Sequence, residues 1–333
     1  MRAITKWILL ALLLPISAWS ADQAAWERVD RHALAAPAAA ERNIASLAAY
    51  LGEGAHSEED KIRAIYRWLA DRIEYDVEVY LAGRENEYAN ISPEAVLASR
   101  RAVCHGYAAL FSALAGASGI EVATVLGYAK AYARAGDQGF REPNHSWNVI
   151  KTQGKWQVID TTWGAGYVFR DRYVKKFDEF YFLPSLSRLR FTHLPAQAHV
   201  GHPISMSKAE FEALPAIDPG LFRAGVSGDL AWDVAHRPGF RSFVRTYEQN
   251  QRDLQIREAP LEEFIPAKQP RRFDYETESF EEITVAHDGG WVKLTRQGKN
   301  FSGLVPVRPG GVLIMGRPIG ESRYTGLFQY TAE

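Results

Sequence analysis

The apolar positions of this chain keep helical spacing through its first third and a strand-like alternation later on. Ser57 followed by Glu58, Glu59 and Asp60 predicts a capped helix start, and Ile62, Ile65, Trp68 and Leu69 then line one face. Ser92-Pro93-Glu94 predicts a second start, with Pro93 at the first helical position, where a missing N–H removes no bond. Val103-Cys104-His105-Gly106 runs into a third helix whose expected buried face is Ala108, Phe111, Leu114 and Ala115. Val122 to Ala129, His145 to Lys151 and Lys155 to Asp160 read as strands, the last two joined by the turn signal Thr152-Gln153-Gly154-Lys155 into a hairpin. Upstream, residues 21–56 are alanine-rich and expected to be helical, with an interruption at Pro37.

After about Pro203 the pattern changes. Ser207 with Glu210 predicts a capping box on a short helix, and Pro215 and Pro219 are expected to close that passage. From Gly220 onward, alternating stretches such as Glu282-Ile283-Thr284-Val285, Trp291-Val292-Lys293-Leu294 and Gly311-Val312-Leu313-Ile314-Met315 are separated by Asp288-Gly289-Gly290 and Pro309-Gly310. Short strands with such turns predict a β-sandwich. The expected class is α+β: a helix on an antiparallel sheet within residues 57–205, then a β-rich accessory domain over 206–333.

Composition changes this picture little. A formal net charge of −1 over 333 residues gives no reason to expect nucleic acid or an anionic membrane as partner. The first residues matter more. Arg2 and Lys6 precede the apolar run Trp7 to Leu14, and Ala18-Trp19-Ser20-Ala21 offers a small-residue cleavage site, so residues 1–20 read as a cleavable signal peptide. The protein is expected in the periplasm or secreted, with no integral membrane span in its mature form, because the apolar run is too short to cross a bilayer comfortably. The single cysteine can form no internal disulfide. In an oxidising compartment, one unpaired thiol suggests a thiol with work to do.

That cysteine, Cys104, sits where helix N–H groups have no intrahelical acceptor and favour thiolate over thiol. A helix terminus contributes only about 0.3–2 kcal/mol, so a largely ionised thiol needs a histidine beside it. The hairpin supplies one. If Gln153-Gly154 form a two-residue turn, Thr152 faces Lys155, Trp147 comes opposite Asp160 and His145 opposite Thr162. His145, Trp147, Val158 and Asp160 then share a face, with His145 and Asp160 as diagonal neighbours. A slip of one residue would separate them. His105 is expected to be a poor rival base, since adjacent residues on a helix point apart. Singly, each residue has a plainer reading, Cys104 as a small buried hydrophobe, His145 as a structural histidine, Asp160 as a turn former; the combination is what points to a Cys-His-Asp arrangement.

The stretches Tyr66-Arg67-Trp68-Leu69, Ile73-Glu74-Tyr75-Asp76, Cys104-His105-Gly106-Tyr107-Ala108, Gly127-Tyr128-Ala129-Lys130, His145-Ser146-Trp147-Asn148 and Asp160-Thr161-Thr162-Trp163-Gly164-Ala165-Gly166 occur in an order that resembles the transglutaminase-like superfamily of papain-type cysteine enzymes. The resemblance is to the branch of the kyphoscoliosis peptidase and cytokinesis-protein relatives, and it covers roughly Ser57 to Gly166. It implies a papain-like core with Cys104 as nucleophile, His145 as base and Asp160 as orienting acid. It also implies an enzyme, although the superfamily includes silent members.

The expected function is therefore an exported cysteine acyl-transfer enzyme, an amide hydrolase or peptidase acting on a protein or peptide. The alternatives are a catalytically silent binding module and a true cross-linking transglutaminase. The backbone N–H of Cys104 is a candidate oxyanion donor, and Trp147 and Trp163 are candidate walls of the site. No cofactor is expected. No metal is expected either: His193, His199 and His202 cluster in sequence, yet no acidic or thiolate ligand stands next to them. Arg170, Arg172, Lys175 and Lys176 read as a solvated edge beside packed aromatics.

Overall fold

The computed structural model of the chain describes residues 26–84, 87, 91–130, 139–199, 201, 202, 204 and 206–333; the expected signal peptide lies outside them. Among the described residues no helix is long and apolar enough to cross a membrane. Residues 26–34 are helical, the chain turns through Pro37, and helices α1 (Ile44–Glu53), α2 (Glu58–Arg72), α3 (Pro93–Ser99) and α4 (Cys104–Ala117) follow. The starts of α2, α3 and α4 are the expected ones. Ser57 accepts the Asp60 N–H at 3.0 Å, and Ser92 caps α3 with Pro93 at its first position. Ala108, Phe111, Leu114 and Ala115 are all buried, and Phe111, Leu114 and Ala115 join Tyr107 and Leu110 in a cluster with Ile62, Ile65, Trp68 and Leu69 of α2.

Strands β1 (Glu121–Ala129), β2 (His145–Thr152), β3 (Lys155–Ile159) and β4 (His193–Pro195) form one antiparallel sheet in the order β3-β2-β1-β4. Thr152 pairs with Lys155 and Asn148 with Ile159, the register counted from the turn. Gln153 (φ 51°) and Gly154 (φ 73°) are both left-handed, the conformation that lets a two-residue loop follow the strand twist. Two details differ from expectation. β2 is buried on both faces, because α4 covers one and Val125, Val158 and Leu189 pack with Trp147 and Val149 on the other. β3 stops at Ile159, and Asp160 instead caps the short helix α5 (Thr161–Ala165), so the His145–Thr162 pair does not form.

The region after residue 205 opens with helices, not strands. α6 (Lys208–Ala213) has the predicted capping box; α7 (Pro219–Arg223) and α8 (Gly228–Ala235) were not expected. Pro219 opens a helix under the Asp218 cap where the sequence reading took it as a terminator. Beyond them a four-stranded sheet (Gln255–Glu258, Pro270–Glu276, Asn300–Pro306, Thr295–Gln297) faces a larger one built around Phe280–His287, Gly310–Pro318 and Thr325–Ala332. Phe273 and Tyr275 of the first meet Tyr330 and Phe328 of the second, with ring centroids 5.8 and 5.7 Å apart. This is sandwich-like layering, as the alternation predicted. Its core runs back across the expected boundary to Phe191 and Leu194.

Candidate active site

Asn148 places the cysteine helix on the sheet. Its fully buried side chain donates from Nδ2 to the Ala108 carbonyl of α4 at 3.1 Å and to Ser112 Oγ at 2.9 Å. Asn148 and His145 lie on the same strand, so the bond that seats α4 also sets Cys104, its first residue, against His145. Asp160 is held from the other side. Its Oδ1 accepts the N–H groups of Thr162 (2.9 Å) and Trp163 (3.1 Å), while its own N–H donates to the Tyr181 carbonyl. α5 can approach closely only because of Gly164: a Cβ there would lie 2.0 Å from the Tyr66 hydroxyl. Gly127 does the same on the sheet, where a Cβ would strike the Leu194 carbonyl and the Trp147 ring.

His145 Nε2 lies 2.7 Å from Asp160 Oδ2, so the diagonal pair counted from the hairpin is in contact. The same imidazole also interacts with the Cys104 thiol. Burial pushes the thiol up, but hydrogen bonds from His105 and His145 and the charge of His145 bring it down to about 6. Burial likewise pushes the His145 imidazolium down, and the charge and hydrogen bond of Asp160, with a further bond to Cys104, carry it up to about 10. The Asp160 carboxyl is penalised by burial yet held well below the usual carboxylate range by His145 and His193. At neutral pH these directions favour a thiolate beside an imidazolium. His105 is a correction: from the second position of α4 it contributes to lowering the Cys104 thiol, which the expectation that adjacent helix residues point apart did not include.

His193 is the residue that sequence reasoning misplaced. It was grouped with His199 and His202, but β4 carries it to the aspartate, where its Nε2 lies 3.1 Å from Asp160 Oδ2 and its Nδ1 lies 2.8 Å from Thr192 Oγ1. Trp163 and Trp147 stand edge-on to its ring at 4.7 and 5.0 Å, and Trp163 also lies 5.3 Å from His145, so both tryptophans do wall the cluster. His145, Asp160 and His193 bring ligand atoms within 4.8 Å of one another, a donor set a metal could use. The separations are those of hydrogen bonds. The Asp160 oxygens already accept two N–H groups and face two imidazoles, and 2.7 Å between His145 Nε2 and Asp160 Oδ2 is too short for an ion bound to both at about 2.0–2.2 Å in tetrahedral geometry.

With the geometry in place, comparison with known proteins is informative. Residues 45–161 match the model of the Transglutaminase-like superfamily. This part of the chain is transglutaminase-like. The chain is 32% identical over 177 residues to the kyphoscoliosis peptidase of Mus musculus and 30% identical over 183 residues to that of Homo sapiens. Those alignments cover 52% and 54% of this chain but only 26% and 27% of the relatives, so the chain spans about a quarter of their length. A solved TGase structure aligns at 18% identity over 51% of this chain and 39% of that one, with a TM-score of 0.28. The transglutaminase-like stretch carries Cys104, His145 and Asp160; His193 lies beyond it.

Proposed function

We propose that the protein is an exported cysteine amide hydrolase, a peptidase in reaction type, with Cys104, His145 and Asp160 in the roles of nucleophile, acid–base and orienter. The observation that carries this reading is the buried pair of His145 and Asp160, 2.7 Å apart, beside a thiol that hydrogen bonds from His105 and His145 lower to about 6. A silent module has no need for that arrangement.

In the proposed reaction Cys104 Sγ attacks the carbonyl carbon of an amide. The negative charge that develops on the oxygen is met by the Cys104 backbone N–H at the start of α4. His145, already protonated, gives its proton to the departing nitrogen as the C–N bond breaks, leaving a thioester and a neutral imidazole. Water then loses a proton to His145, attacks the thioester carbon and releases the acid, regenerating thiolate and imidazolium. Asp160 keeps the imidazole in the ring orientation both steps need. Export rests on the sequence of residues 1–20, and the peptidase names of two relatives favour water over an amine as acceptor.

The test offers a peptide acyl donor together with a labelled primary amine. Free acid as the main product, with no dependence on added calcium, is expected. Dominant label incorporation replaces hydrolysis by cross-linking, and no turnover with an ordinary Cys104 thiol titration replaces both by a silent module.

A further inference from the structure

Resting on that reading, we propose that His193 is a positioning residue: a permanently neutral imidazole that shares the Asp160 Oδ2 acceptor with His145 and so weakens the carboxylate's hold on the imidazolium. The hydrogen-bond inventory around His193 admits few protonation patterns. An ionised Asp160 cannot donate, so the 3.1 Å contact requires a proton on His193 Nε2. In the neutral ring Nδ1 is then an acceptor for the Thr192 hydroxyl, 2.8 Å away, whose one proton is divided between it and the Leu189 carbonyl at 3.1 Å. The ring is fully buried between Trp147 and Trp163, and burial holds its titration below the ordinary histidine range.

Asp160 consequently has its oxygens filled in a fixed pattern: two backbone N–H groups on Oδ1 and two imidazoles on Oδ2. Each extra donor spreads the carboxylate charge, and a spread charge stabilises a neighbouring cation less. The other titratable or charged groups facing this cluster are Cys104 and His105 from α4, Tyr66 from α2, Tyr181 before β4, and His202 against Trp147. Burial holds the Tyr66 hydroxyl well above the ordinary tyrosine range, and burial keeps His202 uncharged down to about 3. His193 is the one of the groups here that shares the Asp160 Oδ2 acceptor with His145, so its removal changes what His145 feels through the carboxylate. The chemical consequence lies in the first step of the proposed reaction, where His145 gives up its proton. An imidazolium held too tightly is a poor acid toward a leaving amine, and the second histidine keeps His145 able to release its proton.

The test needs no substrate, because the single cysteine makes alkylation by iodoacetamide a clean report of one thiol. Alkylation rates against pH and ring-nitrogen NMR of the histidines are recorded for the wild type, for His193→Phe and His193→Leu, which lack the donor, and for His193→Gln, whose amide can reach the same place. The wild type is expected to keep His193 neutral with its proton on Nε2 from pH 5 to 9. The donor-less variants are expected to raise the His145 titration by roughly half a unit to one unit and to extend thiolate alkylation to lower pH, with Gln restoring the wild-type curve. Thr192 keeps an acceptor in these variants, since the Leu189 carbonyl lies 3.1 Å from its hydroxyl. A His193 that titrates in the wild type or carries its proton on Nδ1 overturns the inference even if no variant folds. Variants with lowered melting temperature and unmoved titrations reduce His193 to a packing residue. An ordinary thiol titration in the wild type, by contrast, defeats the proposed function itself.

Discussion

The two halves of the molecule bury different things. The transglutaminase-like half encloses His145, Asp160, Asn148, Lys130 and Arg63, each hydrogen-bonded, Arg63 to Asp30 and Glu179. The C-terminal sandwich encloses mainly Phe273, Phe301, Ile283, Val285, Ile314 and Phe328, and its ion pairs, such as Lys293 with Glu282 and Arg241 with Glu333, are largely at the surface. Burying ionised groups is unfavourable unless each is paired, so the first half gives up stability to hold charge in place, whereas the second is built for stability. Substitutions should therefore separate: in the first half they alter chemistry, in the second they alter only the folded fraction.

The largest effect expected is at His145. His145→Ala removes the acid–base group and should lower turnover by about 10²–10⁴-fold, with Asp160→Ala milder, because it removes the orienter and leaves the base in place. Both are to be measured on an accepted peptide with folding checked by thermal melting. Comparable turnover in His145→Ala would erase the distinction between the halves. On the other side, Phe301→Ala opens the sandwich core at a fully buried ring and should cost about 3–5 kcal/mol in denaturant unfolding. Its Cys104 alkylation curve, taken below the melting transition, should overlay the wild type. A displaced curve would mean that the halves are not independent.

Gly164→Ala sits where stability and chemistry meet. Its Cβ would drive against the Tyr66 hydroxyl and displace α5, which begins at Asp160, so a loss of about 1–3 kcal/mol should be accompanied by reduced turnover. Intact turnover in a destabilised Gly164→Ala would show that Asp160 is held by something other than α5.

Acidification gives a smaller effect with a definite sign. His193 and His202 fold with titrations below the ordinary 6.5, so the unfolded chain binds protons that the native one refuses, and stability falls as pH drops below about 6.5. The charged pair works oppositely on its two members: the Cys104 contribution is lost as pH falls from 9.0 through about 6, while that of His145 is lost as pH rises from 6.5 through about 10. The melting temperature should decline from pH 6 to pH 4 more steeply in the wild type than in His202→Phe. Smallest of all, Gly116→Ala near the end of α4 meets open space and should stabilise by about 0.5–1 kcal/mol with an unchanged thiol titration.

The legibility of the site in the sequence followed the range of the interactions. Gln153-Gly154 fixed a tight turn, the turn fixed the register, and the register brought His145 to Asp160; every step spans fewer than 20 residues. His193 reaches Asp160 from 33 residues away through a three-residue edge strand that has no room for a periodic signal, and its sequence neighbours His199 and His202 suggested the wrong partners. The influence of His105 on its neighbour Cys104 was not anticipated, because the rule that adjacent helix residues point apart was applied at the first turn. In the fold, the caps at Ser57, Ser92 and Ser207 were readable, while α7 and α8 were hidden because Pro219 is compatible with both ending one segment and opening another.

β4 also decides where this unit could be cut. A fragment ending at residue 161 would retain Cys104, His145 and Asp160, yet it would strip an edge strand from β1 and leave the carboxylate without its second imidazole. A fragment ending at 205 would keep both but unplug Lys130, whose buried ammonium donates to the carbonyls of Phe211 (2.6 Å) and Leu214 (2.7 Å) at the end of α6. The smallest portable piece of this protein is thus longer than its recognisable motifs, and any chimera that keeps the motifs alone would carry Cys104 on an unfinished scaffold.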